Sequence, residues 1–293
     1  WCTGFEELKA RVDEYPLERV EQITGVDREL IAEAARVYAT ADGAIIPWTP
    51  ITDMQISSTS AIRLHSILRA VTGNLDVAGG ETLGGFNPKY IPESELALHE
   101  ELAPQQKAKQ LGFDKHPAYT YRAAEMLKEP TEKVWGFPYA DIVMGCHMAN
   151  PSEVFRAMAD ADPYPIKAFF VLGNNALMSY PNQHQILKAM MNQDLIVAHE
   201  IFMTPTAMLA DYVLPGDVFT ERNHVADSWS WTTRLTLSQK VVEAPDGVSS
   251  TFQFWTDLAE RFGFGNRFPW RTLEELLDYR LSRSGRTFAD FEA

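Results

Sequence analysis

The chain has 293 residues, 45% hydrophobic and 23% charged, and 26 Lys and Arg against 40 Asp and Glu give it a net charge of −14. That is enough apolar material for one large folded domain or two ordinary ones. The acidic balance argues against binding nucleic acid or adsorbing to an anionic membrane, since both need clustered Lys and Arg. Cys2 and Cys146 form no CxxC pair and cannot hold an iron–sulfur cluster, and no apolar run reaches the ~20 residues of a membrane span.

Residues 5–22 read as a helix interrupted near Pro16. Asp27 is placed to cap a second helix whose apolar face carries Leu30, Ile31, Ala34, Ala35 and Tyr38. Residues 44–48 (AIIPW), bounded by Gly43 and Pro50, are expected to form a short buried strand. A helix over 59–72 follows and stops at Gly73-Asn74. After it the texture changes to paired glycines, scattered prolines and helical patches at 95–111 and 121–128. This stretch reads as a long excursion without the periodicity for a core of its own. Alternation then returns with a strand at 167–172, a helix at 182–191, a strand at 194–198, a short helix at 205–209 and a strand at 211–214. Helices at 251–263 and 272–283 close the chain.

Strands separated by helices and short loops imply parallel pairing with right-handed crossovers. The expected fold is therefore α/β: a three-layer, open, mainly parallel sheet with flanking helices and one long irregular and helical excursion. It is laid out as a single domain with lead-in helices over 1–41, a sheet core from 42–78 and 164–263, the inserted excursion over 79–163 and a helical tail over 264–293. The first residue is Trp1, not Met, and no signal peptide is visible. The chain is accordingly expected to be an internal piece of a longer protein, with apolar faces left exposed where other domains would pack.

In such a sheet, ligands bind outside the carboxyl ends of the strands. Three loops qualify. Leu172-Gly173-Asn174-Asn175 offers a close backbone approach and amide groups that both donate and accept, although Gly-Asn-Asn is equally turn chemistry. The run from His199 to Ala207 ends a strand on Glu200, a carboxylate suited to a ribose diol or a guanine edge, and opens a helix on Thr204-Pro205-Thr206. Thr204 before Pro205 also reads as an N-cap, and His199 as a lone histidine with a structural or exposed role. The third loop, 50–55, is polar enough for ligand contact or for solvation alone. Cys146-His147 lacks a third metal ligand at useful spacing, and Trp229 and Trp231 alternate as packing residues of a strand would.

Taken in order, several segments resemble the catalytic subunits of the dimethyl sulfoxide reductase family of molybdopterin oxidoreductases. They are ITGVDRELIAEAARVYATA (23–41), SAIRLHSILRAVTGNLDVAGGE (60–81), FFVLGNNAL (169–177), DLIVAHEIFMTPTAMLADYVLPG (194–216) and FTERN (219–223). The resemblance implies a molybdenum or tungsten bis-pterin guanine dinucleotide cofactor in the parent enzyme, absent from this fragment alone. One guanine dinucleotide end would be held by Gln55, Gly173, Asn174, Asn175, His199, Glu200, Thr204, Thr206 and Arg222. It implies no metal ligand in this chain, an inactive isolated fragment, and partners in the missing N- and C-terminal domains and an iron–sulfur electron-transfer subunit. The parent is expected to be exported in some cases, so compartment stays open. Asn223 replaces the family's usual Gly and Thr251 stands where an Asp is often found, which puts contacts there in doubt. The stretch 229–242 looks closer to the branch holding transhydroxylases, acetylene hydratases and aromatic dehydroxylases than to nitrate reductases. A free-standing nucleotide-binding module without redox activity, and a self-contained enzyme using Cys146 and His147, are the competing readings.

Overall fold

The computed structural model describes residues 3–47, 49–82, 89–91, 93–117, 120–136, 148–226 and 235–291, and the chain divides into two compact units, Trp1–Gly84 and Gly85–Ala293. Cys146, His147, Trp229 and Trp231 lie outside the described residues.

In the first unit the break at Pro16 separates helices Phe5–Asp13 and Leu17–Thr24, with Pro16 itself in the extended N-cap conformation. Asp27 caps the helix Arg28–Thr40 as expected, its carboxylate accepting the Glu29 N–H at 2.7 Å. The helix Ser58–Thr72 ends at Gly73 in a Schellman arrangement: Asn74 N–H reaches Arg69 O at 3.0 Å and Gly73 N–H reaches Ala70 O at 3.4 Å.

The strand expected over 44–48 does not form among the described residues: 44–47 belong to no strand and no ladder. Side chains take the place of a neighbouring strand. Ala44 N–H donates to Asn74 Oδ1 at 2.9 Å, and Ile46 N–H donates to Glu81 Oε1 at 3.0 Å. Arg69, paired with Glu81 at 3.1 Å, donates to Ile46 O. The buried Asn74 also donates to Tyr38 O and Thr72 Oγ1. An apolar β-branched run signals extended backbone, but not whether its partner is a strand or a set of side chains. Gly43 is required here. Its φ is +83°, and a Cβ would fall 2.4 Å from Ala78 O.

The second unit carries the sheet, with β1 Ala168–Leu172, β2 Leu195–Glu200 and β3 Tyr212–Pro215 all parallel in the order β1-β2-β3. Each lies within two residues of its expected place. Alternation sorts their side chains into two faces. Phe169, Val171, Ile196 and Ala198 meet Phe155, Met158 and Ala159 from the helix Pro151–Asp160, and Ile186, Ala189 and Met190 from Gln183–Met191. Each large side chain buried there contributes roughly 1.5–3 kcal/mol. Phe170 and His199 point the other way, toward Phe254 of the helix Thr251–Arg261. Helices therefore cover both faces, giving the three-layer α/β architecture. The helix Pro151–Asp160, from the segment read as excursion, supplies part of the sheet's core. The proline at its first turn and Asn150, whose side chain accepts from Ser152 and Glu153, mark its start.

A second cluster joins Tyr90, Val225, Leu277, Leu281 and Phe288. It ties the antiparallel pair β4 His224–Ala226 and β5 Thr236–Ser238 to the helix Leu273–Leu281. The Arg280 guanidinium lies 4.4 Å over the Tyr90 ring and donates to Ile91 O, while Arg283 pairs with Glu95 and Arg267 with Glu101. These contacts dock the excursion's first helical turns on the C-terminal tail.

Candidate cofactor-binding site

The carboxyl ends of the three parallel strands bring most of the expected residues to one edge of the second unit. After β1 the chain turns through Gly173, whose φ of +57° suits a residue without Cβ and whose N–H donates to His199 O at 3.1 Å. Asn174 is exposed. Asn175 follows, half-buried, and its carbonyl accepts the Met178 and Ser179 N–H groups, opening the turn Ala176–Ser179.

The orientation of the Asn175 amide is set from the next loop. Thr206 is fully buried; its hydroxyl accepts the Leu177 N–H at 3.0 Å and donates to Asn175 Oδ1 at 2.8 Å. A buried hydroxyl proton needs an acceptor, so the oxygen of the amide faces Thr206 and the NH2 group faces elsewhere. Thr206 thus serves the site through Asn175. The helix expected over 205–209 is a shorter 3-10 turn, Ala207–Leu209, with Thr206 at its N-cap position; the Thr204 hydroxyl accepts the Ala207 N–H at 3.1 Å from two residues before that position.

At the end of the central strand, Glu200 and His199 point to opposite faces of the sheet. Half-buried Glu200 has a carboxylate with no hydrogen-bond or ionic partner among the described residues, while its carbonyl accepts Gly216 N–H at 3.0 Å. His199 is buried and occupied. Its Nε2–H donates to Ser249 O at 2.8 Å, and its ring centroid lies 5.9 Å from that of Phe254. The tautomer follows from the acceptor, since a carbonyl can only receive. The imidazole braces the sheet against the start of the helix Thr251–Arg261, which Ser250 caps through Gln253 N–H.

The third strand end carries a charged pair. Arg222 Nη1 donates to Asp217 Oδ1 at 2.8 Å, and Asp217 Oδ2 is buried without a partner among the described residues. Asn223, where a Gly was expected, holds local structure: it accepts Lys240 N–H and donates to Glu274. Gln55 belongs to the first unit, exposed beyond the turn Pro50–Asp53, where it donates to Thr52 O at 3.4 Å. Among the described residues no three His, Cys, Asp or Glu side chains are grouped to hold a metal ion.

Asp217 and Ser249 were missed in the sequence. An acid directly after the Pro-Gly that ends a strand, five residues before Arg222, was a usable signal. Ser249 left none, because its role is played by a backbone carbonyl 50 residues from His199. Around the same edge Ile201, Phe202, Met203, Met208 and Phe219 are each more than half exposed, in keeping with the expected uncovered apolar faces.

Helices on both faces of a parallel sheet, with polar side chains gathered at its carboxyl edge, define an α/β domain of the type that binds ligands at strand ends. The model of the molybdopterin oxidoreductase family matches residues 67–261. The chain belongs to this family, the one its motifs resemble. It is 47% identical over 292 residues to the acetylene hydratase of Syntrophotalea acetylenica, covering 100% of this chain and 40% of that protein. Identity is 27% to the F420-dependent formate dehydrogenase subunit alpha of Methanocaldococcus jannaschii, over 94% of this chain and 37% of that one. It is 25% to the assimilatory nitrate reductase catalytic subunit of Bacillus subtilis, over 98% and 38% respectively. The solved structure of acetylene hydratase from Pelobacter acetylenicus superimposes with a TM-score of 0.86 over 99% of this chain and 40% of that one. The chain thus spans about 40% of the length of these relatives, and the higher identity to a hydratase than to a nitrate reductase agrees with the branch suggested by 229–242.

Proposed function

We propose that this chain is the part of a molybdenum or tungsten bis-pterin guanine dinucleotide enzyme that holds one guanine dinucleotide end of the cofactor, and that it is inactive by itself. The observation that carries this is the set of polar groups at one sheet edge: the Glu200 carboxylate, unpaired among the described residues, the Asn175 amide oriented by Thr206, and Arg222, partly exposed beside Asp217. A nucleotide needs such a mixture, with acceptors for hydroxyl and base N–H groups and a cation for phosphate. The residues therefore fit the group. When bound, the cofactor supplies the metal centre at which the parent's chemistry runs; this chain's residues bind and orient its nucleotide end. Asn174 is a further contact in this reading, His199 acts as a brace, and Thr204 and Thr206 shape the loop.

The identity to acetylene hydratase favours a parent whose reaction is of the hydration type. Water addition to a triple bond transfers no electrons to an outside acceptor, so such a parent does not require an electron-transfer partner; a formate dehydrogenase-like parent would pass its electrons on, and an iron–sulfur subunit is the partner proposed for it. In either case the remaining domains of the subunit would cover the exposed apolar loop at Ile201–Met203.

The test is calorimetric titration of the chain with GDP and ADP. GDP is expected to bind more tightly than ADP, and Glu200→Gln to weaken GDP about tenfold through a lost charge-assisted hydrogen bond. Equal or absent binding of the two nucleotides, or turnover by the purified chain, would falsify the reading.

A further inference from the structure

The pair at the end of β3 is built asymmetrically. Arg222 uses a single nitrogen, Nη1, to reach Asp217 twice, at Oδ1 (2.8 Å) and at the backbone oxygen (3.3 Å). Its Nε and Nη2 make no hydrogen bond among the described residues, and the side chain is 35% exposed. Asp217 is the reverse: its side chain is 4% exposed, and Oδ2 is buried with no donor among the described residues. A carboxylate placed only to stabilise the fold would face the guanidinium fork with both oxygens, the geometry that satisfies both groups. Here one oxygen is forgone, and the two-nitrogen edge of the guanidinium is left free. That edge matches two oxygens of a phosphate.

We propose that Asp217 is a positioning residue: it anchors Arg222 through Nη1 so that the Nε–Nη2 edge is presented to a phosphate of the bound nucleotide. This rests on the guanine-nucleotide reading above and assigns a role to a residue outside the motifs that carry the family resemblance. Two independent features support it. The anchoring contacts involve the backbone as well as the carboxylate, which fixes the plane of the guanidinium. Gly216 N–H is bonded to Glu200 O at 3.0 Å, so the Asp217 loop leaves the sheet directly beside the end of the central strand.

The experiment titrates the 293-residue chain with GDP and with guanosine, so that the difference isolates the phosphate contribution. The unsubstituted chain is expected to bind GDP at least about tenfold more tightly than guanosine, as a bidentate charge-assisted contact implies. Arg222→Ala and Asp217→Ala should each remove most of that factor while leaving guanosine affinity unchanged, and the double variant should be no worse than either single one. If Asp217→Ala does not fold, Asp217→Glu gives the same test: it keeps the charge but moves the anchor by a methylene, and should also lose the factor. The inference fails if a folded Asp217 variant keeps the full GDP-over-guanosine factor, or if it loses GDP and guanosine alike. Binding of GDP no tighter than guanosine overturns the inference and leaves the nucleotide reading standing; binding of neither overturns both.

Discussion

The two units solve the same problem, holding a non-helical segment in place, by opposite means. In the second unit β1 and β3 flank β2 through backbone ladders, so the backbone at the end of β2 is paired without the Glu200 side chain, and the Glu200 carboxylate remains unpaired among the described residues. In the first unit residues 44–47 have no ladder, and Asn74, Glu81 and Arg69 supply the missing hydrogen bonds. Those polar side chains are then occupied. The difference shows why a strand-end loop is where ligand contacts can be afforded: backbone pairing leaves side-chain chemistry free, whereas a side-chain clamp consumes it.

The sharpest way to break the comparison is Asn74→Ala. It strips the Ala44 N–H and the Tyr38 carbonyl of partners in a buried setting, and should destabilise the first unit by roughly 2–4 kcal/mol. Chemical denaturation followed by hydrogen exchange would place the loss in residues 3–82; a change below about 0.5 kcal/mol, the range of ordinary surface substitutions, would mean the clamp is ornamental. In the sheet unit, Thr206→Val keeps the shape but leaves Leu177 N–H without its acceptor and Asn175 without its donor. The expected cost is about 1–2 kcal/mol. The Asn175 amide signals should shift in NMR, and unchanged signals would refute the orienting role of Thr206.

The smallest effect is a pH dependence. The side-chain hydrogen bond from Arg156 holds the Glu153 carboxyl below its ordinary 4.5; burial opposes this, and the charges of Arg156 and Lys115 reinforce it. A carboxyl lowered in the folded state stabilises the protein fully above its unfolded value, and the gain fades as pH falls through the folded one. Stability of the unsubstituted chain should therefore decline below about pH 4.5 more steeply than that of Glu153→Gln. Parallel pH profiles for the two proteins would remove this ion pair from the account.

Much of the chain's local grammar was written in its residues. Asp27 caps as its side chain dictates, Gly73 stops its helix, and the β-branched and aromatic runs at 167–172 and 194–198 become neighbouring parallel strands. The ordered motifs were enough to identify the family, because they pair particular residue types with particular strand ends. What no pattern could supply were relations between segments distant in sequence. Periodicity marked 44–47 as extended, but only the tertiary fold decided that Asn74 and Glu81 would be its partners. The excursion's texture hid the helix Pro151–Asp160, whose apolar face acquires meaning only against Ile186 and Val171. His199 read as one more residue at a strand end until Ser249, 50 positions away, turned it into a brace. Asp217 drew no notice until folding buried it against Arg222. The physical reason is common to all four: propensity and capping act over a few residues and are fixed by the local chain, whereas the partner of a side chain, an apolar neighbour or a donor or acceptor within about 3 Å, is chosen by what the completed fold brings against it.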